Sequence, residues 1–213
     1  MNVRRATRAD LDALVELHAA AFVGQMGPLL GPRYLRGFLA WFQSAPGAVS
    51  LVAELDGRLA GYVFGAPDGY GPRLSRELLP EIARGVLTNL PTIATHPSFV
   101  RQLRSRAANL VLRREPASPI FAATPAGCFC LVGIGTAEAA RGKGVGRALI
   151  EAFAAATSPR AVILDVFRDN APARALYERS GFLVLAEDGR VLRMIRAAEG
   201  DRTRREASRS LRE

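Results

Sequence analysis

Residues 128–156 read CFCLVGIGTAEAARGKGVGRALIEAFAAA. Cys128 to Ile134 is an apolar run of strand length, and Arg147 to Ala156 repeats its apolar residues at helical spacing. The turn between them contains Arg141-Gly142-Lys143-Gly144-Val145-Gly146. Glycine lets the backbone approach a ligand closely, and a helix start offers free N–H groups plus the positive end of the dipole. Such a turn suits a phosphate or pyrophosphate. Arg141 and Lys143 add charge, and Lys143 is the only lysine in the chain. A plain glycine-rich connection would also fit this stretch, so the loop alone does not decide.

Spacing excludes two common phosphate loops. A P-loop needs four residues between its first glycine and Gly-Lys, followed by Ser or Thr; here Gly144 follows Lys143. The dinucleotide fingerprint needs a glycine three residues after its second, where this chain has Arg147. Downstream, Ala161 to Val166 is a nearly continuous apolar run that reads as a buried strand interrupted by Asp165. Asp169-Asn170 with Pro172 starts a helix, expected over Ala173 to Ser180, that stops at the C-cap glycine Gly181 before Phe182 to Ala186 resumes as strand.

Strand, Arg-x-x-Gly-x-Gly, helix, strand and then Asn170, Ala173, Leu176, Tyr177, Glu178, Gly181 and Phe182 in register resembles the GNAT superfamily of acyl-CoA-dependent N-acetyltransferases. The motifs span roughly Phe129 to Leu185. The resemblance implies an α/β (α+β) fold: a mixed, mostly antiparallel central sheet with a splayed parallel pair, flanked by helices. It also makes the stretch before the central strand a helical insertion. The expected organisation is a single domain over 1–197, with the insertion at 66–127 and a charged tail at 198–213 that is either disordered or a short exposed helix.

Hydrophobic residues at 49% and charged residues at 23% are ordinary for a globular protein of 213 residues. No apolar stretch reaches the roughly 20 residues of a membrane span, and the start lacks a signal-peptide core, so a cytoplasmic protein without membrane contact is expected. Cys128 and Cys130 point to one strand face and read as packing thiols; neither a disulfide nor a metal site follows from them. The net charge of +9 raises the question of nucleic acid. The arginines are scattered and no recognition motif appears, so that partner is disfavoured; a polyanion such as coenzyme A explains local charge equally well.

Towards the N-terminus, Val3 to Ala6 reads as a strand. Thr7 or Asp10 opens a helix with Leu11, Leu14, Val15 and His18 on one face, His18 being a packing residue. Tyr34 to Phe42 reads as a second helix. Val49 to Leu55, Asp56-Gly57 and Arg58 to Gly65 form the clearest hairpin. Within the insertion, Arg73 to Thr88 is helical but divided by Pro80. Pro97 to Arg114 is a basic amphipathic helix, either a solvated face or a substrate surface. Glu187-Asp188-Gly189-Arg190 turns into a last strand, Val191 to Ile195.

Acyl transfer from a thioester to an amine requires positioning, carbonyl polarisation, amine deprotonation and thiolate protonation. By the resemblance, Arg141, Gly142, Lys143, Gly144, Gly146 and Arg147 hold the pyrophosphate of acetyl-CoA. Ile134 and Thr136 supply main-chain contacts to the pantetheine arm, and Asn170 contacts the arm or simply caps a helix. Gly133 and Gly135 fit a kinked strand with close ligand approach. Tyr177 matches the tyrosine that protonates the departing thiolate; packing on the sheet is its other reading. The central strand has no carboxylate for a base. Asp165, twelve residues before Tyr177, stands where Leu-Glu-Val-Arg segments of ribosomal-protein alanine acetyltransferases carry an acid, and an ion pair with an arginine is the alternative. Glu138, His96 and Asp68 are further candidates. No metal is implied. The acceptor is left open as a small-molecule or peptide amine, with an acidic small molecule or an amino sugar as the leading classes, and the protein is expected to be a monomer or homodimer. A non-catalytic acyl-CoA-binding sensor, or an enzyme acting on a protein N-terminus, are the rival readings.

Overall fold

Asp56 and Gly57 both adopt positive φ, 52° and 71°, the conformation a tight primed turn demands. They join strand β2 (Val49–Leu55) to β3 (Arg58–Pro67), which pair antiparallel in the hairpin expected from Asp-Gly. A computed structural model describes residues 1–22, 26–89 and 124–198 of the chain. Among these the chain divides into two compact units.

Of the described residues, the first unit takes in 1–5, 47–68 and 124–198. It holds the sheet: β1 (Asn2–Arg5), β2, β3, β4 (Phe129–Thr136), β5 (Val162–Phe167), β6 (Leu183–Asp188) and β7 (Val191–Arg196). The spatial order is β1-β2-β3-β4-β5-β7-β6. Every pairing is antiparallel except β4 with β5. Helix α6 (Val145–Thr157), numbered after the five helices below, follows β4, and α7 (Ala171–Arg179) follows β5. Val145, Leu149, Ile150 and Phe153 of α6 pack with Val63, Leu131, Leu164 and Val166 in one buried cluster. That is the alternation of a strand meeting the apolar face of a helix. Gly65 belongs to the same contact: a Cβ there would lie 2.0 Å from the Cys130 carbonyl oxygen and 2.6 Å from the Phe153 ring.

Of the described residues, the second unit comprises 6–22, 26–46 and 69–89. Its described helices are α1 (Leu11–Ala21), α2 (Met26–Leu29), α3 (Pro32–Ser44), α4 (Gly71–Glu77) and α5 (Leu79–Thr88). The Asp10 carboxylate accepts the Thr7 N–H at 2.7 Å, fixing the entry to α1 through a 3-10 turn. Leu30, Tyr34 and Leu78 form a small core. His18 is 7% exposed and stacks on Phe22 at 4.5 Å, the packing role its helical position implied. The Trp41 indole donates to Glu77 at 2.9 Å. Leu78 separates α4 from α5, with Pro80 in the first turn of α5, where a missing N–H costs nothing. The basic helix expected over Pro97 to Arg114, His96 and the tail from 199 onward lie outside the described residues. Among the described residues no helix is long and apolar enough to cross a membrane.

Candidate active site

The parallel pair holds together at one end only. Phe129 pairs with Val162 and Cys130 with Ile163, and beyond them β4 and β5 run on, to Thr136 and Phe167, with no further rung. A register shift between Phe64 and Gly65 skips Val132 and bends β4 where it leaves its neighbour. A gap therefore opens towards the C-terminal ends of two parallel strands, the side where α/β sheets bind ligands. The glycines of β4 lie at this bend and also meet neighbouring rings. A Cβ on Gly133 would sit 2.5 Å from the Phe64 ring, and one on Gly135 would sit 2.7 Å from the Tyr62 ring. These two stacked rings, 5.8 Å apart, cover the strand at the bare positions, so close approach is used by side chains of β3.

At the end of β4 a 3-10 turn, Glu138–Ala140, leads into the glycine loop. Gly142 and Gly144 have φ of 75° and 80°, and nothing lies within 4 Å of where their Cβ atoms would be. Gly144 is the N-cap of α6 in the left-handed region, which a residue with a Cβ enters only at a cost. The first intrahelical N–H to find an acceptor is that of Ala148, bonded to Gly144 O at 3.0 Å. The N–H groups ahead of it are the orphan donors of a helix start. Arg141, Lys143 and Arg147 are exposed around them. Gly146 faces Leu176 and Thr136: a Cβ there would be 3.0 Å from Leu176 Cδ2 and 3.9 Å from Thr136 Cγ2. Open backbone, unsatisfied donors and three cations fit a diphosphate and its attached arm. Ile134 and Thr136, half-buried, border the gap on β4.

The Asn-x-x-Ala-x-x-Leu-Tyr-Glu-x-x-Gly-Phe run explains itself in hydrogen bonds. Asn170 Oδ1 accepts the Ala173 N–H at 3.2 Å, so the side chain caps α7. At the other end Phe182 N–H reaches Tyr177 O and Gly181 N–H reaches Glu178 O, each at 3.0 Å, with Gly181 at φ 82°. This is the Schellman closure, and its usual apolar contact is made by the Tyr177 and Phe182 rings, 5.8 Å apart. The helix runs Ala171–Arg179, two residues earlier at its start than the sequence suggested, because Asn170 and not Pro172 sets the cap. Tyr177 is 7% exposed, and burial pushes its phenol up to about 12. Burial, with Tyr177 close by, also raises the Tyr62 phenol.

Asp165 lies on the opposite sheet face from Tyr177, because Val162, Leu164 and Val166 fill the α6 side. Both its oxygens accept from Arg193, Nε to Oδ1 and Nη2 to Oδ2, each at 2.8 Å. Arg193 is its direct ladder partner on β7, and Nη1 donates to Thr124 Oγ1 at 2.6 Å. The Arg193 side chain is 8% exposed and the Asp165 side chain 46%. Hydrogen bonding to Asp165 holds the guanidinium above its usual range. The Cys130 thiol donates to Asp68 at 3.6 Å and burial raises it well above the usual thiol value. Glu138 is exposed in its 3-10 turn. Arg193, Thr124 and Tyr62 carried no motif signal. A lone arginine in the apolar Val-Leu-Arg-Met-Ile run was the one available hint, the mirror of Asp165 in its own strand.

The model of the acetyltransferase (GNAT) family matches residues 11–182. The chain belongs to that family. This GNAT protein is 46% identical over 54 residues to the 5-NmdU N-acetyltransferase of Pseudomonas phage PaMx11, a match covering 25% of this chain and 39% of the relative. Among solved structures, a histone acetyltransferase HPA2 and related acetyltransferase from Corynebacterium glutamicum superposes with a TM-score of 0.56 at 22% identity, over 92% of this chain and 96% of that one. A PaiA N-acetyltransferase from Thermoplasma acidophilum, in complex with coenzyme A, does so with a TM-score of 0.55 at 14% identity, over 92% and 98%. At such identities the structures share the fold with this GNAT chain.

Proposed function

We propose that the protein is an N-acetyltransferase that moves the acetyl group of acetyl-CoA to a primary amine by direct attack, with residues 1–197 working as one catalytic domain. The observation that carries this reading is the gap beyond the Cys130–Ile163 rung, with a donor-rich helix start at its end, Tyr177 on one face and Asp165 on the other. Acetyl-CoA supplies an activated thioester. Gly142, Gly144, Gly146 and Arg147 bind its diphosphate through main-chain N–H groups, with Arg141 and Lys143 adding charge. Ile134 and Thr136 offer backbone to the arm, and Asn170 steadies it while capping α7.

Asp165 holds the acceptor ammonium and takes its proton, directly or through a water, using lone pairs left over from Arg193. The amine nitrogen then forms a bond to the acyl carbon as the carbon–sulfur bond breaks, the electron pair leaves with sulfur, and the second nitrogen proton passes to water. Tyr177 gives its proton to the thiolate and recovers one from solvent. A phenol raised to about 12 stays a donor throughout the working range, so no alkaline limb from Tyr177 is expected below that pH.

The test is free-thiol release across an amine panel that includes 5-NmdU, because of the relative just described. Tyr177→Phe should lower kcat by about a hundredfold or more, in the range of general-acid loss. Full activity in that variant would remove Tyr177 from the mechanism. The engagement of both Asp165 oxygens by Arg193 favours one second reading, a sensor that binds acyl-CoA without turnover. Heat on titration with acetyl-CoA, with no thiol released by any amine, would select it.

A further inference from the structure

Beyond its last rung with β4, β5 presents two side chains to the face opposite α6: Asp165 and, two residues on, Phe167. Ile163 shares this face but is buried within the paired segment. Phe167 is different. It is 46% exposed, one of the few large apolar side chains to be so among the described residues. A single exposed ring is unremarkable on most surfaces. This one sits on the open margin of the gap, about 7 Å along the same strand face from the carboxylate proposed to hold the amine.

The Asp165 carboxylate and the backbone at Phe167 are both fixed. Asp165 is clamped by two bonds from Arg193, which is itself buried and tied to Thr124. Phe167 pairs with Val191 in the ladder, its carbonyl accepts the Asn170 N–H at 3.0 Å, and the Arg168 N–H behind it reaches Arg190 O at 2.8 Å. A clamped carboxylate and an exposed aromatic ring on a fixed strand backbone recognise a cation and a flat π-surface together, and an amine one or two bonds from a ring matches that spacing. We infer that Asp165 and Phe167 form an acceptor subsite selecting a primary amine carried on a flat aromatic or heteroaromatic ring, with the ring stacked on Phe167. This deepens the acetyltransferase reading and rests on it.

The experiment measures kcat/KM by thiol release, on the full chain with saturating acetyl-CoA. It compares benzylamine and 3-(aminomethyl)pyridine with cyclohexylmethylamine, which has the same reach but a puckered ring. The wild type should favour the flat amines by about tenfold, the upper range for one aromatic contact. Phe167→Leu should bring that ratio to within about twofold, and Phe167→Trp should preserve it. Thermal melts of both variants report whether they fold, and the tryptophan variant keeps the test open if the leucine one does not. A wild-type ratio near one, or a preference surviving in Phe167→Leu, overturns the subsite while leaving acetyl transfer standing. Coenzyme A binding with no turnover of any amine, flat or puckered, overturns the acetyltransferase reading and the subsite with it.

Discussion

The Asp165–Arg193 pair is asymmetric in burial, and its two members should fail differently. Removing the carboxylate takes the bidentate acceptor from an arginine whose side chain is 8% exposed and leaves it Thr124, whereas removing the arginine leaves a carboxylate that water already reaches. Asp165→Ala should therefore cost about 2–4 kcal/mol and Arg193→Met only about 1 kcal/mol, the second figure kept low because the surviving charge is solvated. Urea midpoints for the two variants check the order; equal losses would mean that the pair is not the source of the difference. Aspartate as a charge in an apolar strand was readable from the sequence. Its partner was not, because the pairing crosses 28 residues and depends on β7 inserting beside β5 ahead of β6. His18 offers a second measurable case. Burial lowers its pKa from 6.5 to about 4, so the native state refuses a proton that the unfolded chain accepts. Stability is then insensitive to His18 above pH 6.5 and falls as the pH drops from 6.5 towards 4, by up to about 3 kcal/mol. Denaturant titrations across that window should show the slope, and His18→Leu should flatten it.

Helix α7 shows how a short motif becomes a positioned phenol. Its cap and its left-handed stop at Gly181 are local, within thirteen residues of chain, and so were legible before any tertiary information; the Tyr177–Phe182 contact that joins them came only with the structure. Replacing Gly181 by alanine forces a Cβ into φ 82° and should cost about 1 kcal/mol. Because the closure also anchors Tyr177, kcat should fall by more than that stability loss implies, while affinity for coenzyme A changes little. A loss of stability with unchanged kcat would separate the stop from the phenol. The hairpin of β2 and β3 was legible for the same reason, as Asp-Gly encodes its own turn. The rings that cover the glycines of β4 were not. Their partners, Tyr62 and Phe64, belong to a strand some seventy residues earlier, and a bare position reads the same whether a ligand or a ring will cover it.

The family match runs across both compact units, from residue 11 to 182, so the sheet with its glycine loop is one part of a longer shared pattern. The one parallel junction among the described strands, in the middle of the sheet, is the pair that helix α6 connects by crossing between β4 and β5. That junction has an energetic corollary. A sheet normally protects the amides of both flanks of an inner strand, but along Leu131 to Thr136 the flank of β4 turned towards β5 has no ladder to protect it. In heavy water these amides should take up deuterium far faster than their neighbours turned towards β3. Saturating coenzyme A, by lending its own amides as a missing rung, should slow that uptake by an order of magnitude or more. Unaltered uptake there, in a sample where the nucleotide is demonstrably bound, would mean that the ligand never completes the sheet.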